Sequence, residues 1–298
     1  MSTSILFDAP GPRARARHRV LTGIGLLLIA GTIALVLWRL GRAGQLSGSM
    51  WGQLLQADVW TAYVVPGLLK TLQAAVVSIV LALAFGLVFG LGRLSHIAPV
   101  RWVSGAVVEF FRAVPVLLMM YFAFALYTRN NVFGVDFNSF YAVVTGLTLY
   151  NGSVIAELVR SGVHQLPKGQ GEAGLSVGLT PSQTLRSIQL PQALTAMLPA
   201  LVGQLVVILK DSALGTAITY PELLQQARDL GTAYGAVIPA YVLAAVLFIL
   251  LNYGLTVLAG RVERRINRRG RAAGGAAHAA AMPAAPGTAA QVPAEPPR

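Results

Sequence analysis

Six stretches of this chain are long and apolar enough to cross a lipid bilayer, and that limits what it can fold into. They fall at about residues 20–38, 68–92, 107–128, 137–156, 190–209 and 237–260. A helix needs roughly 20 apolar residues to span the hydrocarbon core. Inside that core every backbone N–H and C=O must find its partner within the chain. The expected fold class is therefore an all-α integral membrane protein with about six transmembrane helices. Composition agrees: 11% of residues are charged, against about 25% in soluble domains, too few to cover a soluble surface.

The same composition excludes several kinds of chemistry. There is no cysteine, and the four histidines, His18, His96, His164 and His278, form no spaced cluster. Thiolate sites and zinc sites therefore have no ligands to build on. The phosphate-cradling pattern G-x4-G-K-[ST] is absent, so no nucleotide site is visible and no bound cofactor is expected. No metal site or catalytic cluster is predicted, and the chain does not read as an enzyme.

Lysine and arginine placement sets the expected orientation. With the N-terminus in the cytoplasm, the inner segments carry Arg13 to Arg19, Arg93, Arg101, Arg160, Lys168, Arg186 and the run from Arg261 to Arg271. The outer segments carry Arg39, Arg42, Lys70, Arg129, Lys210 and Arg228, nearly balanced by acidic residues. Both termini are thus expected inside. Residues 1–19 form a basic cytoplasmic segment, and 20–38 an added first span, too long for a signal-peptide core. Between spans one and two, Trp51 and Trp60 suggest a segment lying along the outer surface. The net charge of +12 raises the question of nucleic acid. A basic cluster directly after a span instead anchors the helix end against anionic headgroups, so the expected contact is with membrane lipids. Residues 262–298 read as a basic, then Ala/Pro-rich, disordered cytoplasmic tail, with too little apolar bulk to bury a core. The first twelve residues read the same way.

The loop between spans four and five is polar and ordered by its own chemistry. Thr180-Pro181-Ser182-Gln183 supplies an N-cap hydroxyl, a proline at the first helical position and a glutamine three residues on, the pattern of a capping box. A helix is expected to start there. A shorter helix over Gly169–Leu179 is expected to end at Gly178, where the missing Cβ permits a left-handed turn or a close backbone approach. Two short helices joined at that glycine would make a compact knob, with Glu172 near a helix start where it suits the dipole.

Glu172-Ala173-Gly174, three residues, Gly178, nine residues, Ile188, one residue, Leu190-Pro191 resembles the EAA loop of ABC importer permeases, E-A-A-x3-G-x9-I-x-L-P. Only Gly174 departs from it. The resemblance extends over residues 66–261, the expected permease domain. Glu109-Phe110-Phe111-Arg112-Ala113-Val114-Pro115 is similar to the E-F-F-R-G-T-P stretch of polar amino acid permeases, with Ala113-Val114 replacing Gly-Thr. Glu157 to Arg160, Leu166 to Gln170, and Leu209-Lys210-Asp211-Ser212-Ala213-Leu214 look like further stretches of that histidine/glutamine/glutamate family, most like actinobacterial glutamate permeases. The resemblance implies a multi-pass permease subunit in a bacterial cytoplasmic membrane. It implies an ABC ATPase dimer holding the ATP and gripping Glu172, Ala173, Gly174, Gly178, Ile188, Leu190 and Pro191. A second similar permease (or a second copy) and an extracytoplasmic solute-binding protein complete the implied assembly. Glutamate or a related amino acid is the implied solute.

Several polar residues near or within the spans are candidates for structural or pathway roles. Glu109 and Arg112, and likewise Glu157 and Arg160, are three apart and share a helical face. They lie near the expected cytoplasmic ends, where arginine can snorkel. Lys210 and Asp211 lie at the outer end of the fifth span. Asn151 and Gln204 interrupt apolar runs, and could line a path or hydrogen-bond between helices. A secondary transporter or channel working without an ATPase is the alternative. It would call for acidic residues at mid-span or internal repeats, and the sequence shows neither. Replacing Gly174 by the usual alanine is expected to be tolerated, because alanine favours a helix by about 0.8–1 kcal/mol.

Overall fold

The computed structural model describes the backbone of residues 11–281 and the side chains of residues 11–265. Every regular element among them is helical. In chain order these are α1 (Pro12–Arg42), α2 (Gly48–Gln53), α3 (Ala57–Arg93), α4 (Ala98–Ala113), α5 (Val116–Asn130), α6 (Val135–His164), α7 (Lys168–Ser176), α8 (Pro181–Ile218), α9 (Leu223–Tyr234) and α10 (Val237–Ala281). Five of them, α1, α3, α6, α8 and α10, are long and apolar enough to cross a membrane, and α4 with α5 makes a sixth if a bent pair counts as one span.

That pair corrects the expectation of a single span over 107–128. The helix breaks at Val114-Pro115, and α4 and α5 meet at 98°. Proline has no N–H to donate and disfavours the helical region for the residue before it; Val114 leaves that region, at φ −85°, ψ 127°. A second correction concerns the tail. The helix of the last span continues to Ala281, since alanine and arginine are strong helix formers and no proline follows Pro239 until Pro283. The remainder of the expected disorder falls on 1–10 and 282–298, outside the described residues.

Two prolines inside long helices, Pro66 and Pro191, are handled differently. A π turn at Trp60–Val64 stands directly before Val65-Pro66, and another at Leu185–Gln189 directly before Leu190-Pro191. In each the residue before the proline donates its N–H five residues back, Val65 to Trp60 and Leu190 to Leu185. The widened turn absorbs the bond that proline cannot make, and the helix continues.

By compactness the chain divides into two units, one formed by 1–77, 120–145 and 211–250, the other by 78–119, 146–210 and 251–298. In the first, Leu54, Val59 and Val64 pack with Leu223, Ala227, Leu230, Ala240 and Ala244. Polar stitches fix that packing. The Gln45 side chain donates to Gly235 O at 2.8 Å and accepts from Ile238 N at 3.0 Å. Thr71 Oγ1 accepts from Leu223 N at 3.0 Å. Trp51 and Trp60 turn their indole N–H groups onto the Gln45 and Leu54 carbonyls. Glu222 is fully buried and caps α9, accepting from Leu224 N and Gln225 N at 2.8 Å each. Burial pushes its carboxyl up to about 7, against the pull of those two N–H groups.

In the second unit α3 and α6 approach closely through small residues. Ala82, Gly86 and Gly90 recur every fourth residue on α3, where a Cβ on Gly86 would stand 2.4 Å from Ile155 and one on Gly90 2.9 Å from Val159. Lipid offers apolar helices no hydrophobic reason to associate, so backbone approach and dispersion contacts must hold them.

Candidate functional site

The loop at 166–191 folds as the two-helix knob that its capping chemistry calls for. α7 ends in a Schellman motif: Gly178 N donates to Leu175 O at 3.0 Å and Leu179 N to Gly174 O at 3.1 Å, with Gly178 at φ +83°. Immediately after it, Thr180 N donates to Gln183 Oε1 at 2.8 Å while Thr180 Oγ1 accepts from Gln183 N at 3.4 Å. Both arms of the capping box are therefore made. The two helices lock where Gly174, buried, lies against Thr184 and Ile188. Gln192 Nε2 bridges back to Gln170 Oε1 at 3.1 Å.

The motif residues divide between two faces. Gly174, Ile188 and Leu190 look inward or are half-buried, whereas Glu172, Ala173, Gly178 and Pro191 are exposed. Leu175 and Val177, outside the motif, are 51% and 76% exposed at the tip. Sequence reasoning passed over them; two apolar residues beside the turn glycine of a polar loop were the available signal.

Two local expectations, at Glu172 and Gly174, need correction, and at Gly178 the left-handed alternative holds. Glu172 is the fifth residue of α7, beyond the first turn, so the helix dipole gives it little. Nothing lies within 4 Å of a Cβ built on Gly178, so positive φ alone demands glycine there. A Cβ on Gly174 would stand 2.6 Å from Thr184 Cγ2; alanine would be forced against a stiff β-branched neighbour, and its tolerance is not expected.

A charge network occupies one end of α3, α4 and α6. Arg93 reaches Glu109 at 3.0 Å and Glu157 at 2.9 Å; Arg112 lies 3.4 Å from Glu109 and 3.9 Å from Glu157; Arg160 meets Glu157 at 2.6 Å. The two i,i+3 pairs seen in the sequence are thus one assembly, joined by Arg93, which is 14% exposed. In the sequence Arg93 bears only on topology, since no local spacing links it to residues 16 and 64 positions away.

Asn151 and Gln204 also meet. Gln204 Nε2 donates to Asn151 Oδ1 at 2.6 Å, and Asn151 Nδ2 donates to Leu147 O at 3.0 Å. This polar bridge ties α6 to α8, with Asn151 fully buried. Lys210 is exposed at the point where α8 tightens into its closing 3-10 stretch, and Asp211 beside it is half-buried.

A family model for the binding-protein-dependent transport system inner membrane component matches residues 79–268. This chain belongs to that family. The match contains the knob and the charge network and begins beyond α1 and α2. The chain is 46% identical over 222 residues to the glutamate transport system permease protein GluD of Corynebacterium glutamicum, covering 74% of this chain and 81% of the relative. It is 35% identical over 207 residues to the probable glutamine ABC transporter permease protein GlnP of Bacillus subtilis, covering 68% and 94%. Among solved structures, an amino acid ABC transporter with histidines aligns with a TM-score of 0.63 at 26% identity, over 69% of this chain and 95% of that one. A multi-pass, all-helical inner membrane component follows directly.

Proposed function

We propose that this chain is the permease subunit of an ABC importer for polar amino acids, with glutamate the first candidate solute. The carrying observation is the knob: the motif spacing becomes a two-helix unit closed by its own caps, with Glu172, Ala173, Leu175 and Val177 turned outward. Exposure of a few apolar side chains on such a unit suits a partner groove, since little ordering remains to be done on binding. An ABC ATPase dimer binds ATP in its own subunits and moves the knob as it closes. The spans then alternate between inward- and outward-facing states around a path shared with a second permease copy or a similar chain. A solute-binding protein delivers the amino acid on the outer side. This subunit supplies a path and mechanical coupling, with no covalent chemistry and no cofactor of its own. The similarity to named glutamate and glutamine permeases supports the solute class.

Two measurements test the reading. Because the chain lacks cysteine, single cysteines report topology: Ser176→Cys should be shielded from an impermeant thiol reagent in intact cells, and Asn131→Cys should react. The reverse pattern would overturn the orientation. Uptake of radiolabelled glutamate, glutamine and histidine in a deletion strain, with and without the re-expressed chain, tests the solute. Unchanged uptake of all three would reject a role for this chain in carrying them.

A further inference from the structure

A cavity of about 650 Å³ opens beside the charge network, lined by Arg93, Arg101, Trp102, Gly105, Ala106, Glu109, Arg160 and His164. Its charged side chains do not balance. Arg93 and Arg160 are engaged with Glu109 and Glu157, and the network of three arginines and two glutamates already carries one excess positive charge. Arg101 adds another. It meets no carboxylate within salt-bridge distance among the described residues, and its one side-chain hydrogen bond there goes from Nη1 to Ser95 O at 3.0 Å. A guanidinium has five N–H donors, so most of its donor capacity is without a protein partner among the described residues. His164 Nδ1 is bonded to Arg160 O at 2.8 Å, which leaves Nε2 for another partner.

The helix that carries Arg101 also has the features of a membrane-interface element. α4 is turned 98° from apolar α5, so it does not follow α5 across the bilayer. Around Arg101 the apolar side chains are outward: Ile97, Trp102 and Val103 are 62%, 76% and 62% exposed. An indole beside aliphatic groups and a free cation is the combination favoured at headgroup depth. From this geometry we infer that the cavity binds the phosphate of an anionic phospholipid, with Arg101 as the principal contact, His164 and Arg160 in support, and Trp102 against the acyl–glycerol region. The excess charge defines the ligand as an anion, and the exposed apolar rim selects a lipid over a soluble phosphate.

The test uses the full-length chain with its co-purifying subunits, exchanged into phosphatidylcholine–phosphatidylglycerol nanodiscs and released for native mass spectrometry. A phosphatidylglycerol adduct should persist on the wild-type chain. Arg101→Gln should weaken its retention about fivefold, the effect of one basic residue at an anionic surface, and Arg101→Lys should restore most of it. Trp102→Ala, at a site too exposed to disturb folding, should also weaken retention. Arg186→Gln, exposed in the polar loop and outside the cavity lining, should leave it unchanged. Wild-type retention in both Arg101→Gln and Trp102→Ala would overturn the inference. Displacement of the adduct by inorganic phosphate would overturn it too, marking a soluble-anion site. So would loss of the co-purifying ATPase from Arg101→Gln with lipid retention intact, which would mark a protein-docking surface.

Discussion

Helices α1 and α6 are nearly equal in length, 31 and 30 residues, and both qualify as spans, yet they are opposites in packing. No residue of α1 is buried, whereas 61% of the membrane-length window of α6 is. From Val20 to Trp38 α1 has no charged residue. α6 is interrupted by Asn151, Gly152, Glu157 and Arg160, and those interruptions are its contacts. Asn151 holds Gln204, Gly152 faces Phe85, and Glu157 holds Arg93 and Arg160. In water the more apolar of the two would be the more buried. In lipid the order inverts, because a uniformly apolar surface gains nothing by leaving the acyl chains, while polar and small residues gain hydrogen bonds and close contact. The family match, starting after α1, follows the same division.

Matched substitutions can break this contrast, and glycine offers the largest effect. Gly86→Val on α3 drives a side chain into Ile155 of α6 and should destabilise by about 3 kcal/mol or more. Detergent melting and membrane level read it directly. Gly31→Val on α1, where nothing lies within 4 Å, should stay within about 0.5 kcal/mol of wild type. Equal effects from the two would refute the contrast.

Charge gives the next step down. Arg93→Met leaves Glu109 and Glu157 competing for Arg112 and Arg160, and should cost about 2–3 kcal/mol because charged hydrogen bonds are lost at a part-buried site. Arg19→Met on α1 has no ion pair to lose among the described residues, and its melting temperature should not move measurably.

The knob sharpens the same lesson at smaller scale. Gly174→Ala should cost about 1–2 kcal/mol of local packing and lower solute uptake at matched expression. Thr184→Ala in the same chain removes the obstructing methyl and should recover much of the uptake. Gly178→Val meets no neighbour, but it places a β-branched residue at positive φ, a strain of about 1–2 kcal/mol. It should lower ATPase co-purification, and Thr184→Ala should not rescue it. Rescue of both variants, or of neither, would mean that the two glycines do not serve separate purposes.

The smallest expected effect is a pH dependence at the cap of α9. With its folded pKa near 7, above the ordinary carboxylate value, Glu222 contributes stability that is fully present below the unfolded pKa and lost as pH rises through about 7. Warming the protein at about pH 6 and pH 7.5 should show lower stability at the higher pH by about 1 kcal/mol. Glu222→Gln should flatten that difference. A difference unchanged in the variant would assign the dependence to another group.

Local chemistry was legible along the chain. The capping box at Thr180 and the glycine at the end of α7 were readable because a helix end is satisfied within a few residues of itself. The break at Val114-Pro115 had an equally local signal in the proline, but the apolar run around it concealed the break. Arg93, Leu175 and Val177 were not legible, because their roles depend on which side chains other elements bring near them or leave uncovered.

By itself, then, the amino-acid order determined the helical class, the number of apolar runs and the chemistry of each helix end, all of which depend on neighbours within about a turn. The tertiary structure alone decided which apolar helix is buried, which of the motif's two glycines is held by packing and which by backbone conformation, and that two separate ion pairs are one network. Those outcomes depend on distances between residues far apart in sequence, and in a bilayer hydropathy carries no information about such distances.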